Sequence, residues 1–431
     1  MPFVFCSLPP SRRVHREFGN PGKISTFVCS IERKGMKVGT IAFYNWRYPY
    51  GGGEVVTFNL ARFFRSQGMR VLLYTRELIS DKLTQQDRET FEFRPLTGSL
   101  RSGGGFVEVL CTSLREEKAD CIIVQGVTEF PFAAVHETTD CKIVFCLHNK
   151  PLWEVDFLRK QRCTEIKNPT FARKVEFLVL RKPSYYLTPK LRRRMTGFYA
   201  RMLRPVDKCV LLCEAYRQEL ETRIRRKSPK DDNPRKYAAI LNPLVPAAPE
   251  PPSSKEKIVL YVGRLVRVHK RIDRLLKIWR MIESKHPDWR LQIIGDGEER
   301  GSLEQEAQRL GLRRAEFMGY QSDMAPFYRK AAFICLTSNF EGLPMSLMEG
   351  QQYGVIPVSF DSYAGIREIA CDGECGIIVP AFNLRRYARM LSAAMDNEAL
   401  QERMRQGCFA AARRYDPQVV GQAWLRLFES L

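Results

Sequence analysis

The sequence predicts an α/β protein built from two Rossmann-like parallel-sheet domains that face a cleft. Three observations carry this expectation. Apolar runs of strand length alternate with amphipathic helical stretches along most of the chain, the pattern of βαβ units with right-handed crossovers. The alternation is interrupted once, by VPAAPEPPSSKEK, which is rich in Pro, Ser and Ala and poor in bulky apolar residues, and then restarts. With 431 residues there is enough chain for two cores of ordinary size. The expected division is an extension at 1–35, a first domain at 36–243 with a basic insertion at 158–205, a linker at 244–256, a second domain at 257–415 and a crossover helix at 416–431.

Composition narrows the class further. A hydrophobic share of 44% with 27% charged residues is that of a soluble globular protein. No apolar run approaches the roughly 20 residues of a membrane-spanning helix. The formal charge of +21 asks for an anionic partner: nucleic acid, anionic lipid or a phosphate-bearing substrate. The 13 cysteines include no CxxC and there are five histidines, a combination that fits buried thiols in a reducing cytosol better than a metal site.

Taken in order, the first 35 residues match no element that follows and lack the apolar stretch of a signal peptide, so Met36 is expected to be the true start and the preceding tail a mis-called extension or a disordered arm. KVGTIAFYN reads as a strand, WRYPYGGGEVV as a loop, TFNLARFFRSQG as a helix and MRVLLYT as the next strand. Gly51, Gly52 and Gly53 have no Cβ, which lets the backbone approach a phosphate at the start of a helix. A second triplet, Gly103 to Gly105, reads as a turn. ADCIIVQG and CKIVFCLHN are buried strands separated by the helix FPFAAVHE. His148 and Asn149 follow the second of these at the carboxyl edge of the sheet, where open α/β folds bind ligands. A histidine in such a place is, taken alone, more often a satisfied loop residue.

Next comes the most basic segment, running from Arg159 to Arg204 and including Arg192, Arg193 and Arg194. Aromatic residues such as Tyr185, Tyr186, Phe198 and Tyr199 are interleaved with its cations. That mixture suits contact with an anionic membrane surface, each cation contributing about 1 kcal/mol near the surface, although a solvated helical insertion has the same composition. DKCVLLCE, AYRQELETRIRRK and KYAAILNPL complete the first domain. Beyond the linker the strands KIVLYVGRL, WRLQIIGDG, AEFMGY, FICLT, VIPVSF and IIVP alternate with helical stretches.

The candidate site is organised around FICLTSNFEGLPMSLMEGQQYG, residues 333–354. A strand at Ala332 to Thr337, a loop and then the helix PMSLMEGQQY deliver a loop onto a helix N-terminus, with unpaired N–H groups that favour an anion. Glu341 lies in the loop and Glu349 one turn inside the helix. A carboxylate accepts two hydroxyl hydrogen bonds at once, which suits the diols of sugars and riboses, and Leu343 and Met345 exclude water. Arg264 and Lys270 follow another strand end, where their cations could neutralise a bound anion. Arg267, His269 and Arg271 lie close by in sequence, so which basic residues face inward is left open. Gly295 in IIGDG and the Phe317 to Tyr320 turn lie at other strand ends, where an open α/β fold would border a ligand.

The EGLP turn, the glutamates eight apart, the run YGVIPVSFDS and the GRLVRVHKRIDRLL segment resemble the retaining glycosyltransferases of family 4, which have the GT-B fold. GGGE resembles that family's GGxE turn. The resemblance implies that Arg264 and Lys270 hold the donor diphosphate and Glu341 the donor sugar near the reaction centre, with Glu349 on the ribose diol. Gly52, Gly53, Gly295, Gly342, Leu343 and Pro344 would border the donor, and His148 would contact its sugar. Lys150, Trp153 and Glu154 would shape the acceptor side. It further implies a last helix crossing back onto the first domain, no cofactor, no metal, and retention by front-face attack in which the leaving phosphate takes the acceptor's proton. The wording is closest to bacterial enzymes of capsule, exopolysaccharide and lipopolysaccharide synthesis. The implied partners are a nucleotide sugar, a lipid-linked glycan acceptor and the anionic inner face of the plasma membrane, with the protein cytoplasmic and peripheral. Two other readings are a GT-B sugar-nucleotide epimerase, for which acid and base residues are missing, and a basic nucleic-acid-binding protein. No RNP-like, helix-turn-helix or zinc-finger pattern supports the latter.

Overall fold

A computed structural model describes residues 38–49, 51–96, 105–160, 170, 175–177, 179, 182–187, 189–229, 233–247 and 254–431. The extension 1–35, the expected start at Met36, most of the Gly103 to Gly105 turn, part of the basic insertion and the middle of the linker lie outside these residues.

Two parallel sheets organise the rest. The first contains β1 (Thr40–Tyr48), β2 (Arg70–Leu78), β3 (Glu92–Pro95), β4 (Cys121–Gln125), β5 (Lys142–Leu147), β6 (Lys208–Leu211) and β7 (Tyr237–Ala239), in the order β3-β2-β1-β4-β5-β6-β7. The second contains β8 (Glu256–Val262), β9 (Arg290–Ile294), β10 (Ala315–Gly319), β11 (Ala331–Leu336), β12 (Ile356–Phe360) and β13 (Ile377–Val379), in the order β10-β9-β8-β11-β12-β13. Every adjacent pair is parallel. Strand order therefore reverses beside β1 and again beside β8, and each reversal opens a crevice at the carboxyl ends of the strands. The central strands are apolar without alternation because helices cover both faces: all of β4 and all of β11 is buried.

Local structure differs from expectation in three places. β1 does not end at Asn45 but continues to Tyr48, because Arg47 and Tyr48 stay in register with Glu77 and Leu78 of β2 and the Tyr48 hydroxyl donates to buried Asp87 at 2.6 Å. The following helix runs from Gly52 to Ser66, so two of the three glycines form its first turn instead of a loop before it. β3 and the helix Gln85–Thr90 were not anticipated; EFRP is a polar edge strand without a full apolar face, and the helix is started by a Thr84–Asp87 capping box in a stretch of weak periodicity.

The last helix, Pro417–Glu429, packs on the first domain as the resemblance implied. Val420, Trp424, Leu427 and Phe428 are buried in one cluster with β1 and the helix Gly52–Ser66. Phe64 lies 5.4 Å from Phe428 and 6.2 Å from Trp424 between ring centres. Gly421 touches Phe63 so closely that a Cβ would sit 2.4 Å from the ring, so any side chain there would push the helix away. At roughly 1.5–3 kcal/mol per buried large side chain, the contact ties the chain's end to its beginning by several kcal/mol. Among the described residues no helix is long and apolar enough to cross a membrane.

Candidate active site

β11 is followed by Thr337, Ser338, Asn339 and Phe340, all buried, and this turn is stitched to the loop after β8. The Thr337 hydroxyl donates to the Arg271 carbonyl at 2.9 Å, while the Asn339 N–H and side-chain amide donate to the carbonyls of His269 and Val268, each at 2.7 Å. Two loops from neighbouring strand ends are thereby locked together. The consequence is that Lys270 Nζ donates to Glu341 Oε1 at 2.8 Å, with the two side chains only 21% and 13% exposed.

The other basic residues of that loop go elsewhere. Arg267 faces Glu299 at 3.7 Å, Arg271 donates twice to Asp273 at 2.8 Å, and the His269 ring packs between Phe340 and Phe157. Lys270 is thus the member of the 267–271 cluster that meets Glu341. Arg264 is exposed, and its carbonyl accepts from the buried Tyr261 hydroxyl at 3.0 Å. Its guanidinium acts on Glu54 of the first domain, whose carboxyl is pushed up to about 7, chiefly by burial, with Arg264 pulling the other way.

The EGLP turn also touches the first domain directly. A Cβ on Gly342 would lie 2.3 Å from the His148 carbonyl, 3.0 Å from Asn149 Cα and 2.9 Å from Leu212, so only glycine permits this approach. The buried Tyr216 hydroxyl, from the helix Glu214–Lys227, lies 3.0 and 3.1 Å from the carbonyls of Glu341 and Gly342 and accepts the Gly365 N–H at 3.2 Å. On the facing side a Cβ on Gly52 would lie 3.9 Å from the Met345 side chain, while a Cβ on Gly53 would meet only open space. Leu343 and Pro344 are buried, and Pro344 caps the helix Met345–Gln352.

Two further side chains expected to face a ligand, His148 and Glu349, are held by neighbours. His148 Nε2 is hydrogen-bonded to Gln125 Oε1, and burial pushes the imidazole down to about 4. The ring is therefore neutral at physiological pH; donation from Nε2 to the amide oxygen leaves Nδ1 as an acceptor. Gln125 Nε2 is buried and makes no hydrogen bond among the described residues. The Tyr328 hydroxyl donates to Glu349 Oε2 at 2.8 Å, and burial raises the Glu349 carboxyl above its ordinary value.

Other expected residues have mainly structural surroundings. Gly295, at φ +131°, lies against Gly263, whose carbonyl would be 2.1 Å from a Cβ there. Tyr320 is 75% exposed, which places its ring in solvent. Lys150 pairs with Asp156, Glu154 accepts from the Tyr199 hydroxyl at 2.8 Å, and Trp153 packs on Phe340 of the second domain. Arg192, Arg193 and Arg194 are exposed on the helix Lys190–Met202, which buries Leu191 and Tyr199. Among the described residues no cluster of His, Cys, Asp and Glu is arranged to hold a metal, and the cysteines are free thiols, with only Cys371 not buried.

Gln125, Tyr216, Tyr328 and Asn339 were missed by sequence reasoning. Each is a polar side chain beside a strand end or on a helix facing one, a place worth searching even without a motif.

Two sheets whose strand order reverses at facing crevices, closed by a returning helix, define the GT-B class. The structure of HepE from Anabaena in complex with UDP shares this fold: it is 15% identical, covers 91% of this chain and 100% of its own, and superposes with a TM-score of 0.69. Two family models, described as Glycosyltransferase Family 4 and Glycosyl transferases group 1, match residues 50–230 and 247–408, together well over half of the chain. The protein belongs to the family 4 glycosyltransferases. Among curated relatives, the amylovoran biosynthesis glycosyltransferase AmsD of Erwinia amylovora is 31% identical over 171 residues, covering 39% of this chain and 47% of its own. An N-acetylgalactosaminyltransferase of Campylobacter jejuni, named for a diphospho-undecaprenol-linked glycan, is 26% identical over 173 residues, covering 40% of this chain and 48% of its own. The chain spans about half the length, or less, of the curated relatives it matches first.

Proposed function

We propose that this protein transfers a sugar from a nucleoside-diphosphate sugar to a hydroxyl of a lipid-linked or polysaccharide acceptor, with retention of configuration, in the synthesis of a cell-surface glycan. The observation that carries the reading is the Lys270–Glu341 pair, held at adjoining strand ends against the His148 loop. When the donor binds, Lys270 and Arg264 neutralise the charge that develops on the leaving diphosphate, and no divalent cation is required for that task. Glu341 accepts hydroxyls of the sugar. His148 Nδ1 accepts another, and Glu349 accepts the ribose diol.

Retention follows from front-face attack. The acceptor oxygen bonds to the anomeric carbon on the face the diphosphate leaves, the carbon–phosphate-oxygen bond breaks with its electron pair going to the phosphate, and that oxygen takes the acceptor's proton. The relatives' names support a surface-glycan pathway, and one names a diphospho-undecaprenol-linked glycan. The exposed Arg192, Arg193 and Arg194 support a peripheral position on an anionic membrane face.

A thermal-shift screen against nucleoside diphosphates and their sugars, with EDTA present, tests the reading. One nucleotide sugar is expected to raise the melting temperature, and Glu349→Ala to abolish that rise. Absence of any shift would remove the donor site and bring forward a basic binding protein.

A further inference from the structure

The loop that carries Arg264 and Lys270 also walls a second cavity, to which neither contributes. Six cations, Arg159, Lys160, Lys182, Arg267, Arg271 and Arg274, line this space of about 190 Å³ between the two domains, and among the described residues no carboxylate lines it. At about 30 Å³ per water that is room for about six waters.

Among the described residues the cations outnumber the anions that face them. Asp273 takes the two donors of Arg271, Glu299 stands 3.7 Å from Arg267, and Asp156, the carboxylate acting on Lys160, is already paired with Lys150. Arg267 Nε is buried and makes no hydrogen bond among the described residues. Lys160 and Arg274 share the Phe382 ring, at 4.3 and 4.5 Å from its centre, in place of a counter-ion, and Lys160 also donates to Asn339 Oδ1 at 3.0 Å. Arg271 sits in the left-handed region at φ +51°, where glycine would be unstrained, so its side chain is kept at a cost in backbone energy. Burial, opposed for Lys160 by Asp156 and reinforced by the neighbouring cations, pushes Lys160 down to about 8; burial and Arg271 push Arg274 down to about 10. Both shifts come first from burial, and the crowding of neighbouring cations adds to it.

We infer that this cavity is a second anion site, which holds a phosphate or diphosphate group of the acceptor while Arg264 and Lys270 hold that of the donor. The anion site stands on the cavity itself; that the anion belongs to an acceptor rests on the sugar-transfer reading above.

The test uses the full chain saturated with nucleoside diphosphate and titrated calorimetrically with inorganic pyrophosphate. One further pyrophosphate is expected to bind per chain, and Lys160→Gln with Arg267→Gln, which leaves the Arg271–Asp273 pair intact, is expected to weaken it at least tenfold. The nucleotide-sugar thermal shift should be unchanged in this double variant, and the two single variants serve if the double fails to fold. A short-chain prenyl diphosphate should displace the pyrophosphate, and the KM for a diphosphate-linked acceptor should rise in the variant with kcat little changed. Loss of all pyrophosphate binding once nucleotide is saturating, or unaltered affinity in the variants, would overturn the site. Pyrophosphate binding that prenyl diphosphate cannot displace would overturn its assignment to the acceptor. A chain that binds pyrophosphate here but shows no nucleotide-sugar shift would retain the anion site and lose the sugar-transfer reading.

Discussion

The charges at the carboxyl edge of the second sheet and those on the helix Lys190–Met202 of the first domain are held in opposite ways. Lys270 and Glu341 are mostly buried and already paired, and Glu349 has a phenol donor from Tyr328. Arg192, Arg193 and Arg194 are exposed. Groups fixed before a ligand arrives spend little on reorganisation during reaction, so losing one is felt in the transition state. Exposed cations act as an additive field that salt screens. The difference is that the first set is fixed by its partners while the second is open to solvent and salt.

The sharpest test of the contrast is at the buried pair. Lys270→Ala and Glu341→Ala are each expected to lower kcat by about 10²–10³-fold, the usual cost of removing one preorganised charge partner. Circular dichroism should show both variants folded. Full activity in both would dissolve the distinction, because the buried pair would then be a structural ion pair.

The exposed helix should respond on another axis. Changing Arg192, Arg193 and Arg194 together to Ala removes about 1 kcal/mol each of attraction to an anionic surface, so partition onto anionic vesicles should fall by roughly a hundredfold at low salt. The wild type should lose the same advantage as salt shortens the Debye length from about 8 Å to about 3 Å. Donor-induced thermal stabilisation should survive the substitution. If it vanishes too, the two regions are not independent.

Tyr328→Phe probes how much of the candidate site's order comes from a single hydrogen bond. It leaves the Glu349 carboxyl buried with its phenol partner gone, at a cost of about 1–3 kcal/mol. Burial has already raised this group in the folded state, so its contribution to stability is present at low pH and lost as pH rises past the unfolded value of 4.5. Chemical denaturation should therefore show a larger penalty for the variant at pH 8 than at pH 5.

Much of this was legible in the sequence where one short stretch carries the whole device. The strand, EGLP turn and helix at 331–352 are contiguous, and their apolar pattern and turn residues specify them locally. The central strands were legible for the same reason. What stayed hidden depends on pairs distant in sequence: Gln125 lies 23 residues before His148, and Tyr216 lies 125 before Glu341. Such contacts follow from which strand ends adjoin, and sequence periodicity does not report that. The start of the first long helix at Gly52 was also misjudged, because three glycines argue for a loop on propensity alone, whereas packing of Val56, Leu60 and Phe64 carries the helix back to Gly52. Within the basic loop, spacing left four candidates for the inward position; the stitching of Asn339 to Val268 and His269 selects Lys270.

The smallest expected effect links the two domains through Glu54. Its carboxyl, at the first turn of the helix Gly52–Ser66, stands at about 7 in the folded protein against an ordinary value of 4.5. A raised acid favours the protonated form when folded, so the stability it supplies is complete below pH 4.5, declines between 4.5 and 7, and is flat above. Glu54→Gln cannot ionise and escapes that decline. Its stability relative to the wild type should rise between pH 5 and 7, by about 1 kcal/mol once partial exposure is allowed for. Ligand binding sharpens the argument. Arg264 is the charge that eases ionisation of Glu54, and a donor diphosphate would engage Arg264 while bringing its own negative charge to the same glycine turn. Both changes raise the carboxyl further, so binding takes up a proton. Nucleoside-diphosphate affinity should then fall between pH 6.5 and 8.5 in the wild type and lose that dependence in Glu54→Gln. An unchanged pH profile in the variant would mean that the first domain's glycine turn and the second domain's cations do not share a ligand.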